Sequence, residues 1–194
     1  MANERGFIPC RKLGGGASIT RQFPVSASTN EAYFLGDAVI PSTTGKVRPL
    51  KVSTPLATRP LGVIVGFLNS AGRPLTHNLP ASGPFLASGV AGYALVNCDP
   101  NQTYTCEFGG NIADAGVFAG YKVSAGAPNT ATGLSGQSLD ATAITTADAQ
   151  FRVLGLAPQQ YITNPRIGGA SSAAAAIVEV MIVNPALGGG GQII

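Results

Sequence analysis

What most constrains this chain is its punctuation. From Tyr33 onward the apolar segments AYFLGDAVI, KVRPLKV, LGVIVGFLN, GVFAGYKV, QFRVLGLA and IVEVMIV are all short, and Gly or Pro interrupts or bounds most of them. The 194 residues include 26 glycines and 14 prolines, 40 together, scattered without a period. That distribution suits many short strands joined by tight turns, and it predicts an all-β chain.

The stretch GYALVNCDPNQTYTCEFGG, residues 92–110, carries the pattern most plainly. Asp99, Pro100 and Asn101 are turn formers, because proline presets φ while Asp and Asn hydrogen-bond their own backbone. After them Tyr104, Cys106 and Phe108 alternate with Thr103, Thr105 and Glu107, the period of two that separates the faces of a sheet. A hairpin is expected. With Pro100 and Asn101 at its centre, Cys98 would face Thr103 and Cys106 would point to the opposite face, so a Cys98–Cys106 disulfide would need another register. Both thiols read as small buried apolar side chains.

Residues 1–32 hold GGG at 14–16 and show no sustained period, which reads as an extended N-terminal arm. The β domain is expected over 33–185, and 186–194, with GGGG at 188–191, as a flexible Gly-rich tail. Residues 69–92 read as one long excursion and 131–149 as a second loop. Ala173–Ala176 could begin a helix, but Ile177, Val178, Val180, Ile182 and Val183 favour a closing strand, and Pro185 opposes helical continuation. FLGDAV at 34–39 echoes FAGYKV at 118–123, a match that the ordinary grammar of β proteins also produces. The expected architecture is a compact antiparallel β-barrel or sandwich with an extended arm and long loops, small enough to be one domain.

Catalytic patterns are missing. No serine sits in G-x-S-x-G, Gly45-Lys46 is followed by Val47, and Gly14–Gly16 are followed by Ala17, Ser18 and Ile19, so nucleophile elbow, P-loop and dinucleotide fingerprint all fail. His77 is the sole histidine and has no acid near it in sequence. Cys10, His77, Cys98 and Cys106 lack the paired spacing of a zinc site. Asp37 and Asp99 read as turn formers rather than acids for glycoside or metal chemistry. No enzyme, cofactor or metal is expected. Lys46, Arg48, Lys51 and Arg59 supply charge without interleaved aromatics, so direct nucleic-acid binding is not expected either.

Three cysteines without CxxC spacing suit a reducing cytosol rather than a disulfide framework. MANERGFIPCRKLGGG lacks the apolar core of a signal peptide, and AAAAIVEVMIV carries Glu179 and is too short to span a bilayer, so neither export by that route nor a membrane anchor is expected. Charge is uneven. Residues 1–73 hold nine Lys/Arg and three Asp/Glu, net +6, whereas residues 74–194 hold three and six, net −3. Such an asymmetry suits an anionic partner for the leading part or head-to-tail complementarity between copies, while a merely solvated positive face is the plain alternative.

The order ERGFIP (4–9), GDAV (36–39), RPLGVIVGF (59–67), YALVNCDPNQTYTCEF (93–108) and FRVLGLAP (151–158) resembles the capsid cement, or decoration, proteins of tailed bacteriophages. The GGG arm and the GGGGQII tail depart from the likeness. The resemblance implies a non-catalytic β protein on the outer surface of the icosahedral head, assembled in the host cytoplasm. It would form a symmetric homo-oligomer, a trimer rather than a dimer, that ties neighbouring major capsid protein subunits together and stabilises the DNA-filled capsid. On that reading Arg5, Phe7, Ile8, Arg11, Lys12 and Arg21 are the candidate capsid-binding residues of the arm, apolar anchors giving affinity and basic groups giving register. The alternative is a receptor- or glycan-binding β module of a phage tail or cell surface, for which Tyr161 is the best stacking residue.

Overall fold

The structure of the protein is a computed structural model that describes residues 6–25, 31–54, 58–76, 83–110, 112, 116–142, 149–157, 176–183 and 185–186. These form strands and turns, with no α-helix among the described residues. The strands are β1 (Ile8–Lys12), β2 (Thr20–Pro24), β3 (Tyr33–Phe34), β4 (Ala38–Pro41), β5 (Val47–Pro49), β6 (Gly62–Asn69), β7 (Phe85–Leu86) and β8 (Gly92–Asn97). They continue with β9 (Gln102–Phe108), β10 (Gly120–Tyr121), β11 (Val123–Ala125), β12 (Gln137–Leu139), β13 (Phe151–Leu156) and β14 (Ala176–Ile182). The fold is all-β, as the punctuation requires.

Two units repeat one topology. The first has the sheet order β2-β8-β6-β4-β5; the second runs β9-β14-β13-β10, and β11, one residue beyond β10, continues to β12. Each comes close to closing as a barrel through a parallel bridge at equivalent places, Val25 with Val47 and Phe108 with Leu139. Their bulges coincide too, the register slipping between Ile64 and Gly66 in β6 and between Val153 and Gly155 in β13. The ladders therefore pair Ala38 with Val63 where the second unit pairs Gly120 with Arg152. Matching FLGDAV to FAGYKV letter by letter would place Gly36 over Gly120, two residues out of this register. The duplication of strand order is real, but the short echo is not its trace.

β4 explains why the first unit reads as a continuous apolar run. Val39 points into its own unit, against Ile64, Phe67 and Val96. Ala38 and Ile40 point the other way and join the core of the second unit, with Tyr104, Phe151, Val153 and Val180. Both faces are buried, so alternation disappears.

Three expectations change. Residues 92–108 are not a hairpin: the turn at 99–101 forms, with Asn101 N donating to Asp99 Oδ1 at 3.0 Å, but β8 pairs with β2 and β6 while β9 pairs with β1 and β14. Cys98 lies in the core of the first unit and Cys106 in that of the second, both free thiols. An alternating strand records which face is wet, not which strand is its neighbour. Within the expected arm, residues 1–32, the described strands do not stand apart: β1 is hydrogen-bonded to β9 and β2 to β8. The two loops carry short strands, β7 pairing with β3 and β12 with β11 and β9. β14 is confirmed as a strand, placed between β13 and β9 inside the sheet.

Candidate interaction surface

The leading segment turns from one unit to the other. Gly6, at φ 59°, approaches Gly36 so closely that a Cβ would stand 2.7 Å from the Gly36 oxygen. Past it Phe7 donates its amide to Gly36 O at 2.9 Å and stacks on Phe151, ring centroids 4.5 Å apart. Phe7 is therefore fully buried, a core residue rather than the partner anchor expected of it.

Arg11 and Lys12 are engaged within the chain. Arg11 Nε and Nη2 donate to Glu179 Oε1 and Oε2 at 2.7 and 2.9 Å. Lys12 Nζ lies 2.8 Å from Asp99 Oδ2 and donates to Ala17 O at 2.9 Å. The Lys12 ammonium, with the Asn101 and Ile19 amides, holds the Asp99 carboxyl below the usual carboxylate range. Leu13 N donates to Asn101 O at 2.9 Å and Cys98 N to Ile19 O at 2.8 Å. The GGG turn is thus clamped to the 98–101 corner, and the positive φ of Gly14, Gly15 and Gly16 is what lets the backbone round it.

Among the residues this segment leaves outward are three large aliphatics. Ile8, Leu13 and Ile19 are each at least 40% exposed, with Arg21 exposed on the adjoining β2. Arg5, His77 and Tyr161 lie outside the described residues. Of the six candidate contacts, Ile8 and Arg21 remain outward, Arg11 and Lys12 are paired, Phe7 is inside and Arg5 is outside the described residues. Sequence reasoning missed Leu13 and Ile19. Their signal was present: two large aliphatics flanking GGG, with no apolar strand to join.

Two further features had no sequence signal. An apolar pocket of about 290 Å³ is lined by Phe7, Ile8, Pro9, Leu35, Gly36, Ile64, Val65 and Leu134. Beside it a polar seam joins the units. Ser135 Oγ donates to Asp37 Oδ1, and Phe34 N to Asp37 Oδ2 at 2.8 Å. Gln137 Oε1 accepts Ala38 N at 2.7 Å while its Nε2 donates to Leu50 O at 2.8 Å. Burial pushes the Asp37 carboxyl up to about 7 despite its two donors. Asp37 shapes the turn, as its sequence context predicts, and also stitches the two units.

Among the described residues no group of His, Cys, Asp and Glu is arranged to hold a metal ion. Burial raises the Cys98 thiol to about 11 and raises the Cys106 thiol as well, the opposite of what a nucleophile requires. No protein family, curated protein or solved structure matches the chain.

Proposed function

We propose that the protein is a head-stabilising cement protein of a tailed bacteriophage. It binds the outer capsid surface as a symmetric homo-oligomer, a trimer, and ties neighbouring major capsid subunits together without doing chemistry. The observation that carries the reading is the pair of exposed aliphatics Leu13 and Ile19 flanking the GGG turn, with exposed Arg21 close by in sequence. It combines aliphatic anchors with a cation, a composition suited to a partly apolar, acidic protein surface.

The sheet-bound segment alters the mechanism expected from sequence. An arm that orders on binding would lose conformational entropy; a segment already fixed by β9, β8 and the Asp99 corner loses little. Each copy can then bind weakly, because an oligomer that engages several subunits gains from effective concentration.

The test has two parts. Copy number against the major coat protein in purified particles should be a simple lattice fraction, and a few copies per particle would move the protein to a tail or fibre. Purified protein added to undecorated heads should bind, and L13S/I19S should bind at least tenfold more weakly. Unchanged binding by that variant would remove Leu13 and Ile19 from the interface.

A further inference from the structure

The duplicated topology places Phe118 at the position of Gly36. Gly36 N donates to Ile64 O at 2.9 Å and Ile64 N to Asp37 O at 2.9 Å; Phe118 N donates to Val153 O at 2.8 Å and Val153 N to Ala119 O at 3.3 Å. The backbone is left-handed in both, φ 85° at Gly36 and 66° at Phe118. Glycine adopts that region freely, whereas a bulky side chain there is an outlier, of the kind that persists where function needs it. Phe118 is moreover 66% exposed, the most exposed large apolar side chain among the described residues. The ring is strained into place and then left in water.

At the equivalent corner of the first unit there is a hole instead of a knob. The apolar pocket opens over Gly36, and Ile8 and Val65 at its walls are themselves exposed. Its volume of about 290 Å³ exceeds what a phenyl ring requires, since an apolar cavity of about 150 Å³ accepts benzene. Phe118 is not among the lining residues, and β13, β14 and β9 lie between it and β1 in the sheet. Phe118 therefore does not reach the pocket of its own chain, and its ring would enter that pocket only from another molecule.

We propose that the Phe118 ring of one copy of this chain inserts into the Phe7–Ile8–Leu35–Ile64–Val65 pocket of a second copy. Charge supports this occupant. Residues 1–73, which supply most of the pocket, carry net +6 from nine basic and three acidic residues, and residues 74–194, which carry Phe118, net −3 from three and six. Knob and pocket are different patches of the chain, so the contact is heterologous: it builds a ring if the rotation closes and a chain if it does not. Glycine in the first unit leaves room for the ring that phenylalanine in the second unit supplies. The contact does not depend on capsid binding, so it is tested on purified full-length protein without heads.

Molar mass by light scattering and sedimentation is measured from about 1 to 100 µM, a span that covers ordinary homo-oligomer affinities, for the wild type, F118G and V65E. F118G suits the left-handed backbone and so keeps the fold; V65E puts a charge in the pocket mouth. The wild type should associate, and both variants should weaken association at least tenfold. In a C10S background, V65C and F118C proteins should form a disulfide-linked dimer when mixed with a mild added oxidant such as a copper–phenanthroline complex. A monomeric wild type, or association that survives either F118G or V65E, would overturn the proposal. If wild type is monomeric and F118G loses only binding to heads, Phe118 belongs to a different protein's site.

Discussion

Arg11 and Glu179, 168 positions apart, are joined by a two-pronged ion pair that reaches across β9 from β1 to β14. The carboxylate is buried, the guanidinium largely in solvent. Removing Arg11 therefore leaves a buried charge without its fork of donors, whereas replacing both partners by apolar groups removes the problem. R11A should lower the urea midpoint, and R11M/E179L should recover most of the loss. An R11A midpoint equal to that of the wild type would show the pair to be a surface ornament.

Phe7 gives the sharper contrast with a flexible arm. Its ring is buried against Phe151 and its strand is paired to β9. F7A should cost about 3–5 kcal/mol by the usual large-to-small core penalty. Deleting residues 2–21 should not leave a folded domain, because it also removes β1 and the start of β2. A truncated protein with native sheet signals and a cooperative melt would contradict both statements.

Phe118 and Gly36 invite exchange of their side chains. A left-handed L-residue costs about 1–2 kcal/mol, partly offset by the extra unfolded-state freedom of glycine, about 0.5–1 kcal/mol. F118G should thus be as stable as the wild type or more so by up to about 1 kcal/mol, and G36A should lose up to about the same amount. Denaturant melts of the monomeric species decide it, and a large loss in F118G would mean that the ring packs within its own chain.

Thiol accessibility follows from burial. Cys98 and Cys106 sit in the two cores with thiols raised by desolvation, and Cys10 is on an exposed strand, its thiol raised too, by local burial and then Glu179. Iodoacetamide at pH 7.5 should label Cys10 alone, slowly, and all three after unfolding. Rapid native labelling of Cys98 or Cys106 would reopen a reactive-thiol role.

What was legible in the sequence was local. Gly and Pro spacing marked the strands, and Asp99-Pro100-Asn101 marked a turn. What was not legible was partner choice. Gln102–Phe108 alternates equally well beside β8 or β14, and only long-range packing chooses β14. IPCRK in β1 is nearly all exposed, so it carries no alternation to betray a strand. Glu179 within IVEVMIV did announce something, since a lone carboxylate in a buried run needs a cation, but nothing local pointed to Arg11. The pocket and Phe118 are joined only by the register of a duplicated topology, and FAGYKV obscures it by matching two residues out of phase.

Asp37 makes the stability of this protein depend on pH in a direction opposite to Asp99 and Asp140. Its carboxyl, buried between the units, is raised to about 7 from 3.8. The folded state thus prefers the protonated form. That contribution is complete below about 4 and is lost as pH rises through 7, a loss of at most about 4 kcal/mol for a three-unit difference. Asp99 and Asp140 work the other way: Lys12 lowers the first and the Thr142 amide the second, so their support is present above the ordinary range and lost as pH falls through their folded values. Between pH 5 and 8, then, Asp37 contributes a falling slope, and Glu107, which burial also raises, acts in the same direction. D37N keeps the shape of the side chain and cannot ionise, so urea melts across this range should be steeper in pH for the wild type than for D37N, with the variant relatively more stable at pH 8. Equal slopes would mean that Ser135 and the Phe34 amide hold the carboxylate charged in the fold.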